Sequence, residues 1–192
     1  MEAQVRVRWG LLLLVGWLAG CGTADEEGPV PAPPPPDLAG ARIMLLPVRA
    51  PAPARLDPEL AFWLTDRAPA TDWVLPAELQ AAADRAPAWR LRLDALQRPV
   101  ADLGAGDRRV RDPLYGALRQ LGAVVDAHHA LVPLSVTELD DSAGVALALR
   151  AALVDIHGGR VVWLHTVRGE RNPSRAAAVA SVAERLARAL VP

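Results

Sequence analysis

The chain contains one cysteine, Cys21, and its thiol is the side chain whose position most clearly indicates chemistry. It follows an apolar run at residues 9–18 and closes the quartet Leu-Ala-Gly-Cys. Arg6 and Arg8 precede that run, so a positive start, a short apolar core and small residues follow one another as in a secretory signal. We therefore expect residues 1–20 to be a targeting segment that is removed.

The Leu-Ala-Gly-Cys quartet resembles the lipobox of bacterial lipoproteins. That resemblance implies a diacylglycerol on the sulfur and an acylated amine at Cys21, which becomes the first mature residue. A transmembrane helix is one alternative, but it needs about 20 apolar residues and positions 9–20 provide only twelve. The other alternative is an ordinary cleaved signal without a lipid. Gly22, which is not aspartate, favours the outer membrane under the enteric sorting rule.

Two histidine pairs have the residue type of a metal site but not its spacing. His128 and His129 are adjacent, so on a strand their side chains point to opposite faces. His157 and His165 lie on either side of a predicted hairpin turn and do not face one another. Neither pair belongs to a CxxC, HxxH or HExxH pattern. We expect hydrogen-bonded or solvated histidines and no metal site.

The serines and carboxylates lack the context that catalysis requires. A serine nucleophile needs a sharp strand-to-helix turn such as Gly-x-Ser-x-Gly, and none of the serines has one: Ser135, Ser142, Ser174 and Ser181. The acidic turn at residues 138–141 lacks the glycine and the later glutamate of an EF-hand loop. The Gly-Ala-Gly at residues 104–106 is no phosphate loop, because no strand-to-helix switch surrounds it. We expect a protein that is not an enzyme and has no cofactor.

The segment around the two glycines after His157 carries the candidate interaction residues. Two glycines between apolar strands indicate a two-residue hairpin loop, which would place His157 opposite Arg160, Val154 opposite Trp163 and Ala152 opposite His165. An aspartate before such a turn bonds local backbone, so a purely structural role is the more frequent explanation. The candidate interaction residues are Asp155, Gly158, Gly159, Arg160 and Trp163.

The composition limits the fold and the partners. Hydrophobic residues make up 52% of the chain, enough for a substantial core. Removal of residues 1–20 takes away Arg6, Arg8 and Glu2, so the mature chain keeps 19 of the 21 basic residues and 21 of the 22 acidic ones. A nearly neutral chain without a basic block argues against nucleic acid as a partner. We expect five of the mature-chain aromatics to lie in the core or to line a cleft: Phe62, Trp63, Trp73, Trp89 and Trp163.

Residues 21–41 are predicted to be the lipidated N-terminus and a tether. Three acidic residues at 25–27 precede a proline tract, and such a segment favours extended polyproline conformation over a packed fold. At ~3.1 Å per residue, its roughly twenty residues reach at most about 60 Å. The globular domain is then expected at residues 42–192.

The remaining sequence alternates strand and helix patterns. Residues 43–48 form an apolar run typical of a buried strand, helices are expected to start at Asp57-Pro58 and at Pro76, and residues 89–94 alternate as a strand. A loop is expected at 97–111, and a helix from Asp112 that Gly122 terminates.

Strands are predicted at 123–137, with an edge or bulge at Pro133, at 145–156 and at 160–168. A last helix is expected after Asn172-Pro173, with Val179, Val182, Leu186 and Leu190 on its apolar face. The predicted fold class is α/β: one layered domain with a mixed sheet that ends in an antiparallel meander and carries packed helices.

Residues 153–163, Leu-Val-Asp-Ile-His-Gly-Gly-Arg-Val-Val-Trp, resemble a valine–aspartate, turn-glycine, valine–tryptophan hairpin of small envelope lipoproteins. These are the penicillin-binding-protein activator lipoproteins, the curli-secretion lipoproteins and the related amino-terminal domain of the Tol system's periplasmic protein. Leu46-Pro47-Val48 and Leu121-Gly122-Ala123 are similar to the same group. Gly158 stands where the hairpin usually has threonine, and residues 51–111 have no counterpart.

The anchor and the resemblance together predict a membrane-anchored envelope lipoprotein, with its domain facing the periplasm, that acts as a non-enzymatic protein-interaction or assembly domain. The expected partners are the membrane, through the lipid on Cys21, and an envelope protein. The alternative is a binding module for a small envelope glycan or lipid, with Trp63, Trp73 and Trp89 lining a cleft. An envelope hydrolase would require an exposed Ser/His/Asp cluster.

Overall fold

The computed structural model describes residues 34–48, 52–53, 55–87, 92–93, 96, 100, 103, 108–141 and 144–191. In chain order they form β1 (Arg42–Leu45), α1 (Leu56–Arg67), β2 (Asp72–Val74), α2 (Pro76–Asp84), α3 (Leu114–Val125), β3 (His129–Asp141), β4 (Gly144–Asp155), β5 (Arg160–Arg168) and α4 (Arg175–Leu190). All of these elements belong to one compact unit. No helix in these ranges is long and apolar enough to cross a bilayer.

The five strands form one mixed sheet in the order β2-β1-β3-β4-β5. β1 is parallel to both β2 and β3, while β3, β4 and β5 form an antiparallel meander. Ile43 pairs with His129, and His129 pairs with Asp155. The start of β1 and the end of β4 therefore lie at the same end of the sheet.

Helices pack on both faces of the sheet, because each strand sends alternate side chains to opposite sides. The first core lies between the sheet and helices α1 and α4, and its fully buried members include Ile43, Leu60, Leu153 and Leu186. The second core lies between the sheet and helices α2 and α3, and includes Met44, Leu79, Leu118 and Val154. The predicted α/β class, with a mixed sheet ending in a meander, is confirmed.

Pro133 produces the irregularity that the sequence predicts. The register between β3 and β4 shifts between Pro133 and Ser135, because proline has no N–H to donate to the ladder. The strands predicted at 145–156 and 160–168 are also present, as β4 and β5.

The register of the β4–β5 hairpin differs from the predicted one. Trp163 pairs with Leu153, and Val154 pairs with Val161, because a bulge lies between these two pairs. His165 accordingly faces Ala151. The loop comprises residues 156–159, so the predicted two-residue loop is wrong, although Arg160 does begin the return strand.

Gly122 does not end the third helix, which continues to Val125. A Cβ at position 122 would lie 2.8 Å from the Ala127 carbonyl oxygen and 3.1 Å from the Ile156 side chain. The glycine therefore permits close packing, and the left-handed residue that ends the helix is Asp126, with φ of +56°. As a result β3 begins at His129, later than predicted.

Other elements depart from expectation at their ends. The last helix is capped by Ser174, whose Oγ accepts the Ala177 N–H at 3.2 Å, rather than by Asn172.

The short strand β2 was not predicted. Leu38 is already buried in the first core, ahead of the start expected at residue 42. Most of the strand predicted at 89–94 and of the loop predicted at 97–111 lies outside the described residues, as do residues 1–33.

The aromatic residues divide between core and surface. Trp73 and Trp163 are buried in the first core, and Trp63 packs partly against it. Phe62 is 59% exposed, so its predicted place in the core or in a cleft is wrong. Trp89 lies outside the described residues.

Candidate interaction site

The loop between β4 and β5 is organised by the carboxylate of Asp155. Its Oδ1 accepts a hydrogen bond from the backbone N–H of His157 at 3.0 Å, and its Oδ2 accepts one from the N–H of Gly158 at 3.2 Å. Gly159 follows with φ of +60°, a conformation that glycine adopts without steric penalty. The local sequence thus provides both the acceptor and the flexible residue that this turn needs.

Two segments from elsewhere in the chain hold the loop in place. The N–H of Val110 donates to the Gly159 carbonyl at 2.9 Å, and the N–H of Val161 donates to the Arg108 carbonyl at 2.8 Å. From α3, the Tyr115 hydroxyl donates to the His157 carbonyl at 3.1 Å. The Tyr115 ring also lies so close to Gly159 that a Cβ there would be 2.9 Å from Cε2. The loop is therefore preorganised.

The fold places the imidazole of His128 against that of His157. The ring centroids are 5.2 Å apart and the ring planes are inclined by 10°. The nitrogen lone pairs lie in the ring planes, and two nearly parallel planes do not converge on one ion, so this arrangement does not chelate a metal. The described residues contain no group of three or more His, Cys, Asp or Glu that could hold a metal ion.

His129 lies beside this pair but turns inward. Its Nδ1 is buried, with no hydrogen-bond partner among the described residues. Burial lowers the pKa of His129, and the nearby His128 lowers it further, while the Asp155 carboxylate acts in the opposite direction. His129 is thus held toward its neutral form.

Arginines surround the loop. Arg108 and Arg160 are exposed, and within the described ranges neither forms a salt bridge. The Arg119 guanidinium lies over the Tyr115 ring, 5.7 Å from its centroid. We call residues 155–160, which are the loop and the strand residue on each side of it, together with Arg108, Tyr115, Arg119 and His128, the turn site.

The turn site places aromatic rings and cations around a loop that hydrogen bonds from neighbouring segments hold in place. Its carboxylate, Asp155, is occupied by the loop's own N–H groups. Such a surface suits a partner that presents carboxylates or other hydrogen-bond acceptors, because arginine forms charge-assisted bonds with them.

Four of the five predicted interaction residues lie at the turn site: Asp155, Gly158, Gly159 and Arg160. The fifth, Trp163, is 1% exposed and lies in the first core, where it contributes packing. Cys21, the predicted lipidation residue, lies outside the described residues.

Sequence reasoning missed Tyr115, Arg119 and His128 as members of this site. His128 directly precedes β3, so the correct pairing of His129 with Asp155 would have placed it next to the loop. The position of Tyr115 depends on how α3 packs across the end of the sheet, which no local pattern encodes.

A separate groove of about 430 Å³ is lined by residues 35–39, 67–71 and 190–191. Its polar groups are committed to the fold. Thr71 Oγ1 donates to the Leu38 carbonyl at 3.0 Å, and Asp37 Oδ1 accepts the Ala39 N–H at 2.9 Å. Arg67 lies 3.8 Å from Glu184. The groove therefore offers little to orient a polar ligand.

Comparisons with known proteins give no family. No protein-family model matches the chain, and no curated protein matches it. Among solved structures, a PelC dodecamer from Paraburkholderia phytofirmans is similar at a TM-score of 0.46 with 16% identity, over 83% of this chain and 95% of that one. The lipoprotein GNA1162 from Neisseria meningitidis is similar at a TM-score of 0.40 with 13% identity, over 70% of this chain and 82% of that one. At TM-scores below 0.5, these similarities do not indicate a function for this chain.

Proposed function

We propose that the chain is a lipid-anchored protein of the bacterial envelope whose domain binds another envelope protein, without catalysis, through the turn site. The observation that carries the proposal is the pair of exposed arginines, Arg108 and Arg160, whose backbones flank the loop on which His157 stacks against His128. Its sequence support is the lipobox-like quartet that ends at Cys21.

The rigidity of the loop favours binding. Hydrogen bonds from Val110, Val161 and Tyr115 fix the backbone before a partner arrives, so little conformational entropy is lost on association. Arginine and aromatic residues are also the side chains that most often dominate binding energy at protein interfaces. The partner we infer presents acidic side chains to the turn site.

The anchor would keep this site near the membrane. The turn site lies at the end of the sheet where β1 begins, since Ile43, His129 and Asp155 are linked through strand pairing. A diacylglycerol on Cys21 with an acylated amine provides more than one chain, which makes attachment stable. Gly22 favours the outer membrane, with the domain in the periplasm.

The serines provide further support for a non-enzymatic role. The hydroxyl oxygen of Ser174 accepts the N–H of Ala177, and that of Ser181 accepts the N–H of Glu170 at 2.7 Å. Both hydroxyls therefore have a role in local structure.

The alternative, a small-ligand module with a tryptophan-lined cleft, has less support. Trp73 is only 7% exposed and belongs to the first core. The groove near residues 67–71 has a suitable size, but its polar groups already bond to the protein.

The anchor is tested by intact mass spectrometry of the protein from membranes of its own bacterium. The expected mass is that of residues 21–192 with a diacylglycerol and one further acyl chain. A mature protein with an unmodified Cys21 would contradict the anchor.

The interaction is tested by reversing the charge at the turn site. In a co-purification from native membranes, Arg108→Glu with Arg160→Glu should reduce the recovered partner at least about tenfold, because each charged contact contributes of order 1 kcal/mol or more. Arg85→Glu, at an exposed arginine after α2, is the matched control. Equal losses from both variants, or none from either, would overturn the turn site as the binding surface.

A further inference from the structure

Helix α1 carries the most exposed large apolar side chain of the described residues. Its inner face is formed by Leu56, Leu60 and Leu64, which are fully buried. Phe62 lies two residues from Leu60, about 200° around the helix, and its side chain is 59% exposed. Aromatic residues are enriched at protein–protein interfaces relative to the rest of the surface, so this exposed ring is a candidate for contact with another protein.

Phe62 has a fixed neighbour on the same surface. The ring of Trp63 meets it edge-on, with centroids 5.2 Å apart and planes at 79°. Trp63 itself packs partly against the first core, so it supports Phe62 from one side. The exposed ring therefore stands on an ordered base, which suits an interface anchor.

Carboxylates flank this ring along the helix. Glu59 precedes Phe62 by three residues and Asp66 follows it by four, so both lie about one turn away on the same side. Within the described part of the chain, neither carboxylate forms a salt bridge. Arg67, the nearest exposed cation along the helix, lies about 7.5 Å from Phe62 along the axis, and its guanidinium is 3.8 Å from the Glu184 carboxylate. We call Glu59, Phe62, Trp63 and Asp66 the α1 stripe.

We propose that the α1 stripe is a second docking surface, whose partner is a segment of another protein that presents lysine or arginine beside an apolar side chain. The apolar group would pack on Phe62 while the cations meet Glu59 and Asp66. A cation over the Phe62 ring gains cation–π attraction in addition.

The flanking charges disfavour the other occupants. An anionic bilayer would repel two carboxylates next to the inserting ring. A symmetric contact between two copies would place Glu59 and Asp66 against their own equivalents, and like charges in contact disfavour association. A basic protein segment would instead be attracted by Glu59 and Asp66.

The proposal rests on the proposed interaction role but uses a different surface. The α1 stripe belongs to the helix layer of the first core, whereas Tyr115 of the turn site lies on α3 in the layer of the second core. Loss of one surface therefore leaves the other intact, and the two can be tested separately.

The test places the photocrosslinking residue p-benzoylphenylalanine at Phe62 in the full-length protein in its own cell envelope. The same residue at Gln120, exposed on α3, is the control position. We expect one main protein adduct from position 62 and not from 120. Sequencing of the crosslinked peptide should find lysine or arginine within about one helical turn or strand repeat of the adduct.

The charges are then changed around the crosslinker. Glu59→Gln with Asp66→Asn should lower the crosslinking yield roughly three- to tenfold, because the two ion pairs with the partner's cations are lost. Glu59→Lys with Asp66→Lys should abolish the adduct, whereas Asp140→Lys, at an exposed carboxylate on β3, should leave it unchanged.

Three outcomes would overturn the α1 stripe: an adduct only with lipid, an adduct only with a second copy of the chain, or a yield that does not respond to the charge reversal. Absence of any adduct above the Gln120 level would do so as well. If a crosslinker at Val162, an exposed position two residues after Arg160, still captures a partner in the same cells, the proposed function stands and only the α1 stripe fails.

Discussion

Replacing Gly159 with alanine tests how the turn site is built. The substitution is unfavourable for two reasons: alanine must adopt the left-handed φ of +60°, and its Cβ would lie only 2.9 Å from Cε2 of Tyr115. Gly40 is a matched control, because its φ is +70° and a Cβ there meets nothing within 4 Å. Gly40→Ala thus reports the backbone strain alone, about 1–2 kcal/mol.

The magnitude expected for Gly159→Ala is larger. The Tyr115 ring must move, which disturbs its packing at a cost of about 1 kcal/mol or more and weakens its 3.1 Å hydrogen bond to the His157 carbonyl, worth about 1 kcal/mol. We therefore expect Gly159→Ala to lower the free energy of unfolding by about 1–2 kcal/mol more than Gly40→Ala does. That difference corresponds to a melting temperature lower by roughly 2–8 °C.

The assay is urea unfolding of the mature domain without its lipid, followed by tryptophan fluorescence, for both variants. A double-mutant cycle isolates the contact, because in a Tyr115→Ala background Gly159→Ala should retain only the strain component. If Gly159→Ala and Gly40→Ala are equally destabilising, or if the excess persists without the tyrosine ring, the deduced packing of Tyr115 on the turn is refuted.

Three further predictions concern the scaffold. Gly169→Ala should destabilise by about 1–3 kcal/mol in urea unfolding, since the new Cβ would meet the backbone nitrogen of Val182 at 2.9 Å; no loss would contradict this packing. Ser174→Ala should remove the cap of α4 and cost about 1 kcal/mol, while Ser135→Ala, at an exposed strand position, should cost little; equal effects would refute the cap. The folded pKa of His129 lies below the usual 6.5, so the unfolded chain takes up this proton first as the pH falls. The stability that neutral His129 contributes is therefore fully present above pH 6.5 and is lost as the pH falls toward the folded pKa. Between about pH 7.5 and about pH 5.5, the free energy of unfolding should fall less in His129→Phe than in the wild-type protein. Equal losses in the two proteins would contradict this.

Much of the fold could be predicted because it depends on local patterns. The apolar run at β1, the alternation within the meander and Pro133 each specify a feature that neighbouring residues determine. The two glycines after His157 likewise mark a hairpin. The pairing of Trp163 with Leu153 rather than with Val154 could not be predicted. It results from the four-residue loop, which shifts the register by two positions, and from the bulge, which shifts it back by one, and both depend on how the loop packs against residues 108–110 and Tyr115.

Position in three dimensions explains the remaining differences. β2 has three residues, too few for a period, and exists because β1 offers a parallel partner. The apolar surroundings of Phe62 predict a place in the core or in a cleft, yet the i, i+4 series of Leu56, Leu60 and Leu64 determines which side of α1 faces the core. The turn site gained Tyr115 and His128 only through packing and strand register.

The central claim is that a lipid anchor and the turn site act together to hold a partner at the envelope. The most direct measurement is the yield of a photocrosslink from p-benzoylphenylalanine at Val162, an exposed position two residues after Arg160, compared between the otherwise native protein and a form in which an ordinary cleavable secretory signal replaces residues 1–21. We expect one envelope protein to be captured by the anchored form, with a yield at least about tenfold lower for the released domain, because anchoring raises the effective concentration. Equal yields from the two forms, or no captured protein from the anchored one, would contradict the account.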